Sequence, residues 1–478
     1  MRIHRLDQVG LDDNEGYTVA LAQRPIGEMA HLFKAEANGI AYDLLLWPLV
    51  HVSDAASVVR LPALVIGLLA IAATYWSGRE LLGRSAALAG AALLAVSPLA
   101  VEWSALARAD GLALLATTLS FGCLVRAAAS NRWRWWALYV AALVVASYSN
   151  ALVPLTVPVA QATLVLSSRP RRLRPWLVAL TCTGVCLVPL ALLLRIEQRD
   201  RNPLFAIGKP TGSSILWAAR DFVIGEGSGT TPYRLLGYAL LVIGVGLGAC
   251  VLVRLRRLRP SASLRAVAAW AVVPTLLLIV ISIVHPVWEG SKTSLSTLPA
   301  VCLLLGSAFT NLPRRLGAAA LAAFLALLAV TAWLHPPVVP GYQAAGRWLS
   351  AKRSAEDPLV LGKINILPAF AYADPALRVN GRIPVEEWRD TPLPPHLTGF
   401  RVPGMRYGHV PVGGPSTADL KGLLASSGRM FFVLEAIPYD LDYVRRGAAF
   451  AWARNNCHVT TRWFNLTAIE ITGCRSAT

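Results

Sequence analysis

Five short loops carry most of the arginine in the first two thirds of this chain, and each stands where one long apolar run ends and the next begins. They contain Arg79 and Arg84; Arg126, Arg132 and Arg134; Arg169, Arg171, Arg172 and Arg174; Arg254, Arg256, Arg257, Arg259 and Arg265; and Arg314 and Arg315. The loops fall at every second connection. Short Arg-rich loops between membrane spans stay on the cytoplasmic side, so the alternation predicts a polytopic α-helical membrane protein of fixed orientation. Asp12, Asp13, Glu15, Glu36 and Asp110 lie in the intervening connections, which puts any acid–base chemistry on the extracytoplasmic face.

The balance of side chains agrees with this reading. The 478 residues are 55% hydrophobic and only 15% charged, with a mean hydropathy of +0.51, a combination outside the range of ordinary soluble domains. A net charge of +18 could suggest a nucleic-acid partner. Most of that charge sits in loops beside apolar spans, however, so it reads as topology and attraction to anionic lipid, with no nucleic acid bound.

Ten apolar segments are predicted to cross: Val58–Gly78, Ser85–Trp103, Asp110–Ala128, Trp135–Ser147, Ala151–Leu166, Trp176–Leu194, Leu235–Val253, Ala266–Val284, Ser296–Phe309 and Leu316–Leu334. Most approach the roughly 20 residues that a helix needs to traverse the hydrocarbon layer. The fourth, fifth and ninth are short, and Pro154 and Pro158 interrupt the fifth, so these are expected to tilt, kink or pack behind longer neighbours. With ten spans and an outward acidic loop, Met1 would lie outside. Met1–Gly10 is too short and polar to anchor, so one further span upstream of this start is expected, the alternative being a translocated tail.

Three regions divide the chain: residues 1–57, the spanning bundle 58–334, and 335–478. In the first, Glu15–Gln23, Ile26–Glu36 and Ile40–Val52 have helical spacing with one apolar face and are predicted to lie in the outer interface. Arg195–Arg234 is a second long outward loop. After the Pro-rich hinge His335–Pro340 come about 140 residues of ordinary polarity. There Tyr342–Arg353 and Asp440–Asn455 read as helices, Pro358–Leu361 and Met430–Leu434 as strands, and His458–Phe464 with Thr467–Thr472 as a hairpin. The expectation is a small soluble α/β domain on the outer side. Cys123, Cys182, Cys186, Cys250 and Cys302 fall in spans and read as small apolar side chains. Cys457 and Cys474 bracket the hairpin in an oxidising compartment and are candidates for a disulfide.

The densest polar cluster is LDDNEGYT, Leu11–Thr18. An acidic helix start is the plain reading, since Asp at an N-cap and Glu in the first turn are favourable there. Glu36 in KAEANGIAY and Asp110 in SALARAD change the weighing, because uncompensated acids beside lipid are costly and tend to mark function. Arg108, two residues from Asp110, could simply neutralise it.

In the order of its motifs the chain resembles the GT-C glycosyltransferases. The residues that carry the resemblance are the acidic motif followed by interfacial helices, RLPA at the next span, GRELLGR in a cytoplasmic loop, and LAVSPLAVEWSALARAD across the following pair. The most similar group is the polyprenyl-phosphate-sugar-dependent one, which includes protein O-mannosyltransferases and the lipid A aminoarabinose transferase. The likeness covers most of the chain and is diffuse, with no single fingerprint. It implies a catalytic Asp in an Asp-Glu pair of the first outward loop. NEGYT here matches the family's DEAYT and sets Asn14 at the Asp position and Glu15 at the Glu position. Asn cannot act as a base, so the resemblance shifts that role to Asp13. Glu36 then corresponds to the acid before a PPLYY-like motif, here NGIAY with Tyr42, and Asp110 to the second outward-loop acid. In HPVWEGSKTSLSTLPA, Lys292 stands nearest the family's phosphate-holding cation, with His285 a second candidate; a Lys reaching from apolar surface to the interface is the alternative.

What the resemblance implies is transfer of a sugar from a polyprenyl-phosphate donor to a hydroxyl of a lipid, polysaccharide or protein, outside the plasma membrane. Asp13 would be the base, Glu36 and Asp110 would orient sugar or acceptor, and Lys292 with Arg108 would hold phosphate. A divalent cation at the acidic cluster is the one cofactor left open. Two other classes remain: a non-catalytic binder of lipid-linked sugar, for which Asn14 argues, and a transporter, whose internal repeats and mid-membrane charges are missing from this sequence.

Overall fold

The computed structural model describes residues 10–34, 36–168, 172–200, 209–226, 235–244, 246, 261–334, 341–354, 357–361, 367–378, 381–383, 417–435, 447–464 and 466–474. Three short helices come first: α1 Asp13–Ala22, α2 Ile26–Leu32 and α3 Ile40–Val50, at the places where the apolar spacing sets them. The bundle follows as α4 Ala56–Leu82, α5 Arg84–Val96, α6 Pro98–Trp103, α7 Ala109–Ser130, α8 Trp133–Ser149, α9 Val153–Ser168, α10 Leu173–Cys186 and α11 Val188–Asp200. Beyond these lie α12 Gly212–Ile224, α13 Leu235–Gly244, and α14 Ala262–Val284, α15 Ser291–Ser294, α16 Leu298–Thr310 and α17 Arg314–Leu334.

Among the described residues, five helices are long and apolar enough to span: α4, α7, α14, the run Ser291–Thr310 and α17. A sixth span results if α10 and α11, bent by 48°, act together. Pro189 explains the bend, because it removes a backbone donor and crowds the preceding turn. The expected second span, Ser85–Trp103, is two helices. Its break lies at Ser97, whose side chain accepts the Ala100 N–H while Pro98 opens α6, the arrangement of a fresh helix start. By contrast, Val153–Ser168 stays one helix around Pro158.

Small residues set how closely the bundle packs. A Cβ on Gly306 would come within 2.6 Å of the Gly90 nitrogen. The backbones of α5 and α16 therefore touch, which is how helices associate where burial from water offers no drive. A buried chain of bonds ties α7 to α10: Trp176 Nε1 donates to Tyr139 Oη at 2.9 Å, Tyr139 to Gln161 Oε1 at 2.7 Å, and Gln161 Nε2 to Ser120 Oγ at 2.8 Å.

After α17 come α18 Tyr342–Lys352, β1 Leu359–Leu361, α19 Leu367–Ala373, α20 Thr417–Ser427, β2 Arg429–Glu435, α21 Ala448–Asn456, β3 His458–Trp463 and β4 Leu466–Thr472. The four strands form one sheet in the order β1-β2-β4-β3, with β1 and β2 parallel and the other neighbours antiparallel. The hairpin read from the sequence is β3–β4, and Cys457 and Cys474 are disulfide-bonded across its open end. The start of the expected helix Asp440–Asn455 and the hinge His335–Pro340 lie outside the described residues; the helix begins at Ala448.

This C-terminal part rests on the N-terminal helices. A Cβ on Gly16 of α1 would lie 2.6 Å from the Ala369 nitrogen of α19, so only glycine permits the contact. Arg24 donates to the Ile383 carbonyl at 3.1 Å, the Ile383 N–H donates to Gln23 Oε1 at 3.2 Å, and Arg378 pairs with Asp54 at 3.5 Å. One hydrophobic cluster runs through both, joining Val19 and Tyr42 to Tyr342, Phe370 and Phe431.

Candidate active site

The acidic motif folds as a helix cap. Asp12 is the N-cap of α1: its Oδ1 accepts the Glu15 N–H at 2.5 Å, and Glu15 Oε2 accepts the Asp12 N–H at 3.1 Å. The positive end of the helix favours carboxylates here. Glu15 is fully buried. Its Oε1 accepts from Arg60 Nε at 2.8 Å and from the Ala107 N–H at 2.7 Å, while Oε2 also accepts from Arg60 Nη2 at 2.6 Å. Four donors thus occupy the carboxylate. Arg60 further donates to the Gly10 carbonyl at 3.0 Å. Glu15 and Arg60 consequently join α1, α4 and the turn before α7 in one rigid joint.

Asp12 and Asp13 stand differently. Asp12 is almost wholly buried, and burial with the neighbouring Glu15 and Asp13 pushes its carboxyl up to about 7, against the pull of Arg108. Asp13 is half-buried, and its Oδ1 accepts from the exposed Asn14 amide at 2.9 Å. Asn14 therefore serves as a donor to the adjacent acid.

Arg108, the residue before α7, faces these acids. Its Nε lies 3.3 Å from Asp110 Oδ2, and its guanidinium covers the Trp103 ring at 5.0 Å from the centroid. Burial opposes its charge, but Asp110, Asp12, Asp13 and Glu289 outweigh burial and hold the guanidinium firmly protonated. Trp103 is buried, and its indole N–H has no hydrogen-bond partner among the described residues. The same tryptophan walls a small apolar pocket with Gly67, Ala70, Leu94, Leu114 and Leu295. A cation, an orphan donor and an apolar hollow thus meet at one side chain.

The remaining sequence candidates sit around this centre. Glu36 is exposed in the turn before α3, where its charge, after burial, helps raise the carboxyl of buried Asp43 well above the usual range. That turn abuts α7, since a Cβ on Gly39 would lie 3.5 Å from the Ala109 Cβ. Tyr42 is buried, and its hydroxyl is raised by burial and then by Glu15 and Asp43. Lys292 of α15 pairs with Glu289 at 2.6 Å, so its charge is partly met within the chain. His285 ends α14, exposed. Among the described residues no three His, Cys, Asp or Glu side chains are arranged to hold a metal ion.

Arg60, Asp43, Glu102 and Glu226 were not among the sequence candidates, and Asp12 was given no role. Each of the first three interrupts an apolar run, in VVRLPAL, AYDLLLW and PLAVEW, and that interruption is the signal that marks them. Glu226 carries no such mark.

A family model described as dolichyl-phosphate-mannose-protein mannosyltransferase matches residues 40–194. That stretch holds Tyr42, Arg60, Arg108 and Asp110, about a third of the chain. No curated protein sequence matches. Among solved structures, apo ArnT from Cupriavidus metallidurans superimposes with a TM-score of 0.58 at 15% identity, over 98% of this chain and 95% of that one. The chain shares the fold of that membrane protein. ArnT bound to undecaprenyl phosphate gives a TM-score of 0.57 at 14% identity, over 98% of this chain and 95% of that one. Archaeoglobus fulgidus oligosaccharyltransferase AglB, in complex with an inhibitory peptide and a dolichol-phosphate, gives 0.59 at 11% identity, over 95% of this chain and 69% of that one. At such identities these likenesses speak for the GT-C fold of polytopic membrane glycosyltransferases.

Proposed function

We propose that this GT-C protein transfers a sugar from a polyprenyl-phosphate donor to an acceptor hydroxyl on the extracytoplasmic side of the plasma membrane. One observation carries the reading: Arg108 lies on Trp103, which walls the apolar pocket, and interacts with the acids Asp12, Asp13 and Asp110. The isoprenoid chain would lie along the apolar side of this pocket, and the donor phosphate would meet Arg108 and the Trp103 N–H. The solved relatives with undecaprenyl phosphate and with dolichol-phosphate support a lipid-linked donor.

Asp13 acts as the base. It is the more accessible of the two adjacent acids, and the Asn14 amide donates to its Oδ1. The acceptor oxygen attacks the anomeric carbon as Asp13 takes its proton. The bond from that carbon to the phosphate oxygen breaks, and polyprenyl phosphate departs with its new charge met by Arg108. Glu36 and Asp110 orient sugar or acceptor, and Lys292 adds positive potential from α15. Purified protein incubated with radiolabelled polyprenyl-phosphate sugars tests this: labelled product supports transfer. Binding without turnover would instead favour a non-catalytic sugar-lipid binder, the reading suggested by Asn14 at the family's Asp position.

A further inference from the structure

A second acidic pair, Glu102 and Glu226, lies near Arg108. Glu102 is buried at the end of α6, and its Oε2 accepts the backbone N–H of Glu226 at 2.9 Å. Glu226 follows α12, and its own Oε1 accepts the Ser291 hydroxyl of α15 at 2.6 Å. Three outward elements far apart in sequence therefore meet at Glu226, α6 through its backbone N–H and α15 through its carboxyl. On its other flank α12 packs against α13, where a Cβ on Gly237 would lie 2.7 Å from Ile224 Cδ1.

We propose that Glu226 is a positioning residue that clasps the end of α12 to α6 and α15 beside Arg108, and so leaves the Arg108 charge for the anionic donor. The proposal rests on the transferase reading only for the identity of that anion. The charged groups facing Glu226 are Glu102 from α6, Asp221 from α12 and Arg108 from the turn before α7, while α15 presents Ser291 and the Lys292–Glu289 pair. Burial, then Glu102, push the Glu226 carboxyl up to about 7, against Ser291 and Arg108. With its proton, Glu226 lies beside Glu102 without repulsion and does not compete for Arg108. Without it, the two carboxylates repel and Glu226 turns toward Arg108. A group whose folded pKa is raised stabilises the closed arrangement below its ordinary value, and that stabilisation fades as pH rises through about 7.

Hydrogen–deuterium exchange of residues 212–226, corrected for intrinsic rate, is followed in the full-length protein in nanodiscs from pH 5.5 to 8.5, for the wild type, E226Q and E102Q. Protection in the wild type should fall by on the order of tenfold for each pH unit up to about 7 and level off above it, and should stay flat in E226Q, which keeps the neutral clasp. Binding of undecaprenyl phosphate should weaken over the same range in the wild type and not in E226Q. Flat protection in the wild type, or an equal fall in E226Q, overturns the proposal; should E226Q fail to fold, E102Q, which removes the neighbouring charge but not the burial, should end the fall at lower pH, and an unmoved fall overturns the proposal as well. The expected exchange pattern with no lipid-phosphate binding at any pH would support the clasp and sink the transferase reading instead.

Discussion

The carboxylate of Glu15 and the guanidinium of Arg60 meet at two points, 2.8 and 2.6 Å apart, with both side chains almost completely shielded. Removing one member strands the other in an apolar surround. Arg60→Ala should therefore cost about 3–5 kcal/mol, seen as a lower midpoint of thermal unfolding in detergent. Adding Glu15→Ala to that variant should recover part of the loss, since the double change leaves no unpaired charge. A simple sum of the two single effects would contradict the coupling.

Asp13→Asn removes the proposed base while keeping volume and the N-terminal position in α1. Turnover should fall by on the order of a hundred- to ten-thousand-fold with donor binding retained. Asn14→Ala should fall less, because it loses only the donor that orients Asp13. An Asp13→Asn enzyme of normal turnover would remove Asp13 from the mechanism.

Asp12 ties stability to pH. Its carboxyl ionises at about 7 in the folded protein against an ordinary 3.8, so the unfolded chain releases its proton first. The stabilising contribution is complete below about 3.8 and declines as pH rises to about 7. Thermal midpoints measured between pH 5 and 8 should fall with rising pH, and more steeply than in Asp12→Asn, which also caps a helix well. Parallel pH profiles for the two proteins would rule out this assignment.

The Cys457–Cys474 bridge closes a separation of 17 residues around the β3–β4 hairpin. Its loss should cost about 3 kcal/mol. Limited proteolysis with and without reductant should show faster cleavage within 447–474 on reduction, with the helical bundle unaffected. Unchanged cleavage would mean that pairing with β2 alone holds the hairpin.

Local pattern was enough for much of the fold. The apolar spacing of residues 15–52 predicts three short helices close to their observed bounds, and alternation in 458–472 predicts the hairpin. It misread Ser85–Trp103 as one helix, because hydropathy does not register that Pro98 can open a new helix once Ser97 supplies a cap. Of the proposed site, Asp13, Asn14, Arg108 and Asp110 stand out in their motifs, and the fold sets Arg108 beside Asp110. Glu226 does not, since an acid in a polar loop looks the same whether it meets solvent or a buried partner.

The amino-acid sequence by itself determined the membrane class, the order of apolar and arginine-bearing segments, and which segment ends bear the acids, because these follow from periodicity and charge along the chain. Tertiary structure decided what each acid does. Of the acids within LDDNEGYT, one is locked by Arg60, one is buried and pushed toward neutrality, and one stays accessible beside an amide. Those differences arise from partners such as Arg60, Ala107 and Arg108, which lie tens of residues away in sequence and reach the motif only when α4 and α7 pack against α1.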